Sequence, residues 1–264
     1  GSWVNYNDFA PETAHILWTK PYAIGGLMGG LLGGHAYECG DAYQAYGEGS
    51  VIINGIYIYN EAPNPTSGGV WKQAWNQITA IDIRTGEVLW SKPFPAEERV
   101  VCAQSMLWDS FNNHGGFAYV FTQTGGPVFM GPTLPVIWNA YDPRTGRWVF
   151  TIENVPSGTM ARGPKGEILI YQVDAQNGWM ALWNTTNSPA LYGADVHPST
   201  PLADASFLLY TPWGNWWPWN KTVEATGPVE VSPQQPLGKA GYSWNVSIPT
   251  DLPGSVVDVS VGDK

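Results

Sequence analysis

The feature that most constrains this chain is a segment that occurs twice. Ala80-Ile81-Asp82-Ile83-Arg84-Thr85-Gly86-Glu87-Val88-Leu89-Trp90 returns as Ala140-Tyr141-Asp142-Pro143-Arg144-Thr145-Gly146-Arg147-Trp148-Val149-Phe150, with Ala, Asp, Arg, Thr, Gly and a closing aromatic in the same places. The physical content of this pattern is a strand, a tight turn and an antiparallel strand. The glycine supplies the positive φ a short loop needs, and the Asp and Thr side chains can accept hydrogen bonds from turn amides. A small Ala lets neighbouring sheets approach, while the aromatic buries a large surface. One such hairpin cannot fold alone, so copies must stack. A second echo, His15-Ile16-Leu17-Trp18-Thr19-Lys20-Pro21 against Glu87-Val88-Leu89-Trp90-Ser91-Lys92-Pro93, extends the repetition toward the start of the chain.

Composition agrees with sheets joined by turns. Only 13% of the 264 residues are charged, while the chain holds 31 Gly, 22 Pro, 15 Trp and 13 Tyr. Few windows carry apolar residues at helical spacing, so an all-β fold is expected. A formal net charge of −10 opposes binding to nucleic acid or to an anionic membrane surface. No apolar run reaches the roughly 20 residues needed to cross a bilayer as a helix.

The A-x-D-x-x-T-G-x-x-x-W hairpin resembles the quinoprotein-like (PQQ-like) β-propeller repeat, in which it joins the third and fourth strands of each blade. A looser resemblance, carried by residues 15–21, the Gly-rich run after them and residues 247–255, is to large archaeal surface-anchored members of that group. The resemblance implies an all-β propeller of four-stranded antiparallel blades in a single domain over residues 1–264. Its template places an outer strand at about 15–20, then a blade at 24–32, 51–60, 76–83 and 87–94. The next blade runs over 100–108, 116–123, 136–142 and 146–153. A third runs over 157–162, 167–173, 178–184 and, after a Trp/Pro-rich insertion at about 185–240, 241–249. Residues 254–260 open another. About three complete blades with partial blades at both ends are therefore expected. A closed ring usually needs at least four blades, so further copies of the chain or the rest of a longer chain are the expected partners.

Residues that could carry chemistry are few. The run Gly25-Gly26-Leu27-Met28-Gly29-Gly30-Leu31-Leu32-Gly33-Gly34 lacks the Lys-Ser/Thr of a phosphate loop and reads as an inner strand. His35, Glu38, Cys39 and Asp41 lie close together, but their spacing fits no zinc or calcium loop, and no metal site is expected. Glu38, Asp41, Asp109, Glu153 and Asp174 are candidates for the paired carboxylates of a glycoside hydrolase. Enzymes of the resembling family that hold the quinone use adjacent cysteines and a calcium site; Cys39 and Cys102 are far apart, so neither PQQ nor another cofactor is expected. Trp213, Trp216, Trp217 and Trp219 crowd the insertion and read either as core cover or as a stacking surface for a glycan or protein. Tyr37, Tyr43 and Tyr46 form a weaker loop of the same kind.

Sequons at Asn184, Asn220 and Asn245 point to an exported, glycosylated chain at the cell surface or outside it. There, Cys39 and Cys102 either form one disulfide or remain buried thiols. The expected function is a noncatalytic propeller mediating protein or glycan interaction or self-assembly. A carboxylate-dependent carbohydrate hydrolase is the alternative, and a quinone-dependent oxidoreductase the third reading.

Overall fold

A computed structural model describes residues 12–20, 49–61, 75–95, 97–109, 114–127, 131–164, 166–185, 222–225 and 241–250. Among them are strands and turns but no α-helix, and no helix long and apolar enough to cross a membrane.

Three antiparallel blades follow one another. The first holds β1 (Ser50–Ile53), β2 (Ile56–Asn60), β3 (Trp75–Asp82) and β4 (Val88–Pro95), side by side in chain order. The second holds β5 (Arg99–Asp109), β6 (His114–Gly126), β7 (Leu134–Tyr141) and β8 (Trp148–Glu153), again in order. The third begins with β9 (Thr159–Arg162), β10 (Ile168–Asp174) and β11 (Trp179–Asn184). A short strand β12 (Thr222–Glu224) comes next in the chain, and β13 (Tyr242–Ser247) then closes the third blade against β11. Residues from the far side of the insertion thus supply the outer strand of the third blade, as the template anticipates.

The first blade corrects the template. Residues 51–60 are not one strand but the hairpin β1–β2, turned at Asn54 and Gly55, whose φ angles are 49° and 75°. Two consecutive positive φ values make the type I′ geometry that suits the twist of a hairpin, and Asn-Gly tolerates it best. The inner strand of this blade is therefore β1, which lies beside β5, the inner strand of the next. Segments 24–32 and 254–260 lie outside the described residues. Residues 12–20 form no strand, although Trp18 takes a position described below.

The second blade is sandwiched between the first and the third, so its strands pack side chains on both faces. In β7, Val136, Trp138 and Ala140 are buried on one side, and Ile137, Asn139 and Tyr141 alternate on the other. Two cores result. Ile58, Ile78, Ala80, Trp90 and Phe94 of the first blade meet Val100, Ala103 and Val120 of the second. Phe121, Trp138, Phe150 and Ile152 of the second meet Ile168, Ile170 and Trp183 of the third, with Trp138 and Trp183 edge to face at 6.0 Å between centroids. Burying each such side chain contributes about 1.5–3 kcal/mol. Ala80 and Ala140 are fully buried, where a larger side chain would hold the sheets apart.

Strand β12 sits elsewhere than its chain position suggests. It pairs in parallel with β8, matching Thr222 to Thr151 and Glu224 to Glu153, and so adds a fifth strand to the outer edge of the second blade. Ala225, completely buried, then donates its amide to the Glu153 carbonyl at 2.9 Å and accepts the Trp183 indole N–H at 3.0 Å.

Candidate functional site

The repeated hairpins build the same turn twice. Asp82 Oδ1 accepts the amides of Arg84 and Thr85 at 2.9 and 3.2 Å, and Asp142 Oδ1 those of Arg144 and Thr145 at 3.0 and 2.7 Å. Gly86 and Gly146 each donate their amide to the Asp carbonyl four residues back at 2.8 Å. Both glycines have positive φ, 74° and 61°. Against each lies an indole. A Cβ on Gly146 would come within 2.7 Å of the Trp90 ring, and one on Gly86 within 2.8 Å of Trp18. Trp90 Nε1 donates to the Pro143 carbonyl and Trp18 Nε1 to the Ile83 carbonyl, both at 2.9 Å. Lys92 reinforces the first seat by donating to the Thr145 and Gly146 carbonyls at 3.1 and 2.7 Å. Trp18 therefore stands to the first blade as Trp90 stands to the second, which gives the echo between residues 15–21 and 87–93 its structural meaning.

Such a turn, with a tryptophan from earlier in the chain seated against it, repeats through two blades, and residues 56–165, which hold both turns, match the family model described as "Glucose/ethanol/alcohol dehydrogenase, beta-propeller domain". The chain carries PQQ-like β-propeller blades. Over 145 residues this PQQ-like chain is 26% identical to a polyvinylalcohol dehydrogenase of Sphingopyxis sp. (strain 113P3), covering 55% of the chain but only 18% of that protein.

The buried polar groups of the PQQ-like blades lie at the seams. Glu98, in the connection from β4 to β5, is 4% exposed, and its Oε1 accepts from Thr122 Oγ1, from Asn139 Nδ2 at 3.2 Å and from Tyr141 Oη at 3.1 Å. Burial, and then the adjacent carboxylate, pushes the Tyr141 phenol well above its usual range. Asn60 joins the blades from the other side, its Oδ1 accepting the Val100 amide at 2.8 Å and its Nδ2 donating to the Glu98 carbonyl at 3.3 Å. Between the second and third blades, fully buried Thr185 donates to Gln104 Oε1 at 2.7 Å and accepts the Ile168 amide at 3.1 Å. A buried group left without a partner costs about 1–3 kcal/mol, so these bonds fix how adjacent blades sit. Sequence inspection passed over Glu98 and Thr185, because one acid among 22 and one threonine of a sequon carry no spacing signal.

The expected site residues fall in several places. Trp213, Trp216, Trp217, Trp219, Asn220, Cys39, Glu38, Asp41 and His35 lie outside the described residues, as does the side chain of Asp109. Asn184 is half-buried in β11 and Asn245 exposed in β13. Cys102 is a buried thiol, and that burial raises its pKa while Arg162 opposes the rise. Glu153 ends β8 and Asp174 ends β10, on different blades. Asp174 holds its own turn, accepting from the Asn177 amide and side chain at 2.9 and 2.7 Å, bonds that lower its pKa.

The family's quinone and its calcium need converging oxygen donors, usually carboxylates. The described parts of β1, β5 and β9 offer Ser50, Gln104, Ser105, Thr159 and Arg162, with Gln104 already bonded to Thr185. No group of three or more His, Cys, Asp or Glu able to hold a metal forms among the described residues. These residues do not fit a calcium–quinone centre.

Proposed function

We propose that the chain is a noncatalytic, extracellular or cell-surface propeller segment that mediates protein or glycan interaction, including assembly with further blades. The observation that carries this reading is β12. The outer edge of the second blade is extended by a parallel strand from an insertion in the third, so these sheets accept a strand from outside their own blade. Strand addition of this kind joins separate chains by main-chain hydrogen bonds. The outer edges of β4 and β13 have no neighbouring strand among the described residues and are the places for it. On this reading Asn184, Asn220 and Asn245 carry glycans, and the tryptophans at 213, 216, 217 and 219 form a contact surface.

Light scattering coupled to size exclusion, with electron microscopy of the purified chain, tests assembly. Concentration-dependent oligomers or filaments are expected, and they should be lost when Asn245 in β13 is replaced by proline. A monomer at every concentration that also captures no propeller segment would refute it. Mass spectrometry of the secreted chain reports the glycans.

A second reading, a piece of a quinone-dependent dehydrogenase, is favoured by the family description and by the name of the relative. Titration with pyrroloquinoline quinone and calcium, followed by dye reduction with an alcohol, separates the two. Saturable quinone binding with turnover would replace the first reading by the second.

A further inference from the structure

The outer strands of the three blades share an irregularity that puts their residues in correspondence. β3–β4 shifts register between Ala80 and Ile81, β7–β8 between Ala140 and Tyr141, and β11–β13 between Leu182 and Trp183. The pair just before the shift is Ala80 with Trp90, Ala140 with Phe150 and Leu182 with Trp244. One strand further in, the same rows continue to Ile58, Phe121 and Tyr171. Ile58, Ala80 and Trp90 meet the second blade, and Phe121, Ala140 and Phe150 meet the third. Tyr171, Leu182 and Trp244 therefore lie on the face that the third blade turns away from the second.

This face keeps less cover than its counterparts. Leu182 is buried, but Tyr171 and Trp244 are only half-buried, where Ile58, Phe121 and Phe150 are fully enclosed. The two rings hold each other edge to face at 6.1 Å between centroids. Val246, which follows Trp244 on the same side of β13, is 45% exposed, while Ile152, its counterpart in β8, is completely buried.

An indole in this row is a docking group elsewhere in the chain. Trp90 seats on the Gly146 turn, and Trp18 makes the same seat on the Gly86 turn. No glycine turn lies against Trp244 among the described residues. The two occupied seats are held unequally. Trp90 belongs to a paired strand, and Lys92 beside it adds bonds to the Thr145 and Gly146 carbonyls. Trp18 belongs to a segment that forms no strand; it is half-buried, and every other residue from 12 to 20 is exposed, Ile16 at 79% and Leu17 at 70%.

We propose that Trp244 and the face around it dock on the first blade of a second copy of the chain, where Trp244 takes the Gly86 turn from Trp18. One indole replaces another, so the bond to the Ile83 carbonyl is kept, while Tyr171 and Val246 gain the cover their counterparts have. One copy gives its third blade and the other its first, so the contact is heterologous and joins copies head to tail. Trp18 is then a plug that competes with assembly. The inference rests on the assembly reading above and adds a sheet face to the strand edges named there.

Sedimentation velocity of the full chain over a concentration series tests it, with thermal melts confirming the fold of each variant. Val246→Asp puts a charge on an exposed position of the face and leaves the backbone of β13 free for strand addition. Trp244→Ala removes the indole, and Trp18→Ala removes the plug. The expected result is that Trp18→Ala lowers the concentration at which copies associate by about tenfold, and that Val246→Asp and Trp244→Ala abolish association with or without Trp18. Association unchanged by Val246→Asp in a folded protein overturns the proposal, as does a Trp18→Ala chain that associates no more readily than the wild type. If association survives Val246→Asp but is lost with Asn245→Pro, strand addition stands and the face contact falls. A monomer in every chain, Trp18→Ala included, removes both.

Discussion

Replacing Gly146 with alanine would drive a methyl group into the Trp90 indole. Three ring atoms lie 2.7, 2.8 and 3.0 Å from the new Cβ, closer than carbon atoms can pack, so the ring must move. Three costs follow. An L-residue at φ 61° costs about 1–2 kcal/mol. Pushing Trp90 off its rotamer costs about 0.5–1.5 kcal/mol. Losing its N–H bond strands the buried Pro143 carbonyl, at about 1–3 kcal/mol. Gly55→Ala is the internal control, because it has φ 75° but nothing within 4 Å of the added Cβ and so carries only the first cost. Gly146→Ala should therefore destabilise by about 2–4 kcal/mol more than Gly55→Ala, which at this chain size lowers Tm by roughly a further 4–15 °C. Urea titration followed by tryptophan fluorescence measures the difference. In a Trp90→Leu background the excess should vanish, leaving a coupling energy of about 2 kcal/mol or more in a double-mutant cycle. Equal costs for the two glycines, or an excess that persists without Trp90, would refute the seating of the indole on the turn.

Other outcomes follow from the seams. Thr185→Val should destabilise by about 1–3 kcal/mol in the same titration, because Gln104 and the Ile168 amide both lose a buried partner; a change below about 0.5 kcal/mol would contradict the network. Glu98→Leu strands Thr122, Asn139 and Tyr141 together, and a loss of about 3 kcal/mol or more, visible as a lowered urea midpoint, is expected. The Tyr141 phenol is raised in the folded state, so its contribution is complete below the ordinary tyrosine range near 10 and is lost as pH rises above it, once the unfolded chain ionises and the folded chain does not. Stability measured from pH 8 to 11.5 should fall, and Tyr141→Phe should flatten that fall. At the acid end, the lowered Asp174 favours the fold above the ordinary carboxylate range, and that contribution is lost as pH falls through the depressed value; Asp174→Asn should reduce the acid dependence of the melt.

The repeat was readable from sequence because its chemistry is local. Asp, Thr and Gly within one turn can only be explained by that turn, and the echo of Trp90 in Trp18 pointed to two tryptophans seated alike on successive turns, although residues 12–20 form no strand. The outer strand of the third blade was also legible across the insertion, since residues 242–247 supply the one strand its template lacked. What escaped was what depends on distant partners or contradicts a template. Asn54-Gly55 between Val51-Ile52-Ile53 and Ile56-Tyr57-Ile58 is a strong hairpin signal, yet assigning the inner strand to residues 24–32 left room for only one strand there. Three residues of β12 have no periodicity to reveal a parallel pairing. Glu98 becomes distinctive only when Thr122, Asn139 and Tyr141 close around it.

The parallel strand at the edge of the second blade has a consequence for how the molecule opens. Because β12 belongs to the third blade's connection but is hydrogen-bonded to β8, and because Ala225 beside it accepts from Trp183, the two blades cannot part without breaking the β12–β8 ladder or the Trp183–Ala225 bond. The two should therefore exchange their amide hydrogens as one cooperative unit, with the first blade free to open earlier. The long separation in sequence between β11 and β12 makes this clasp a late event in folding, and once shut it adds main-chain hydrogen bonds to the core that the two blades already share.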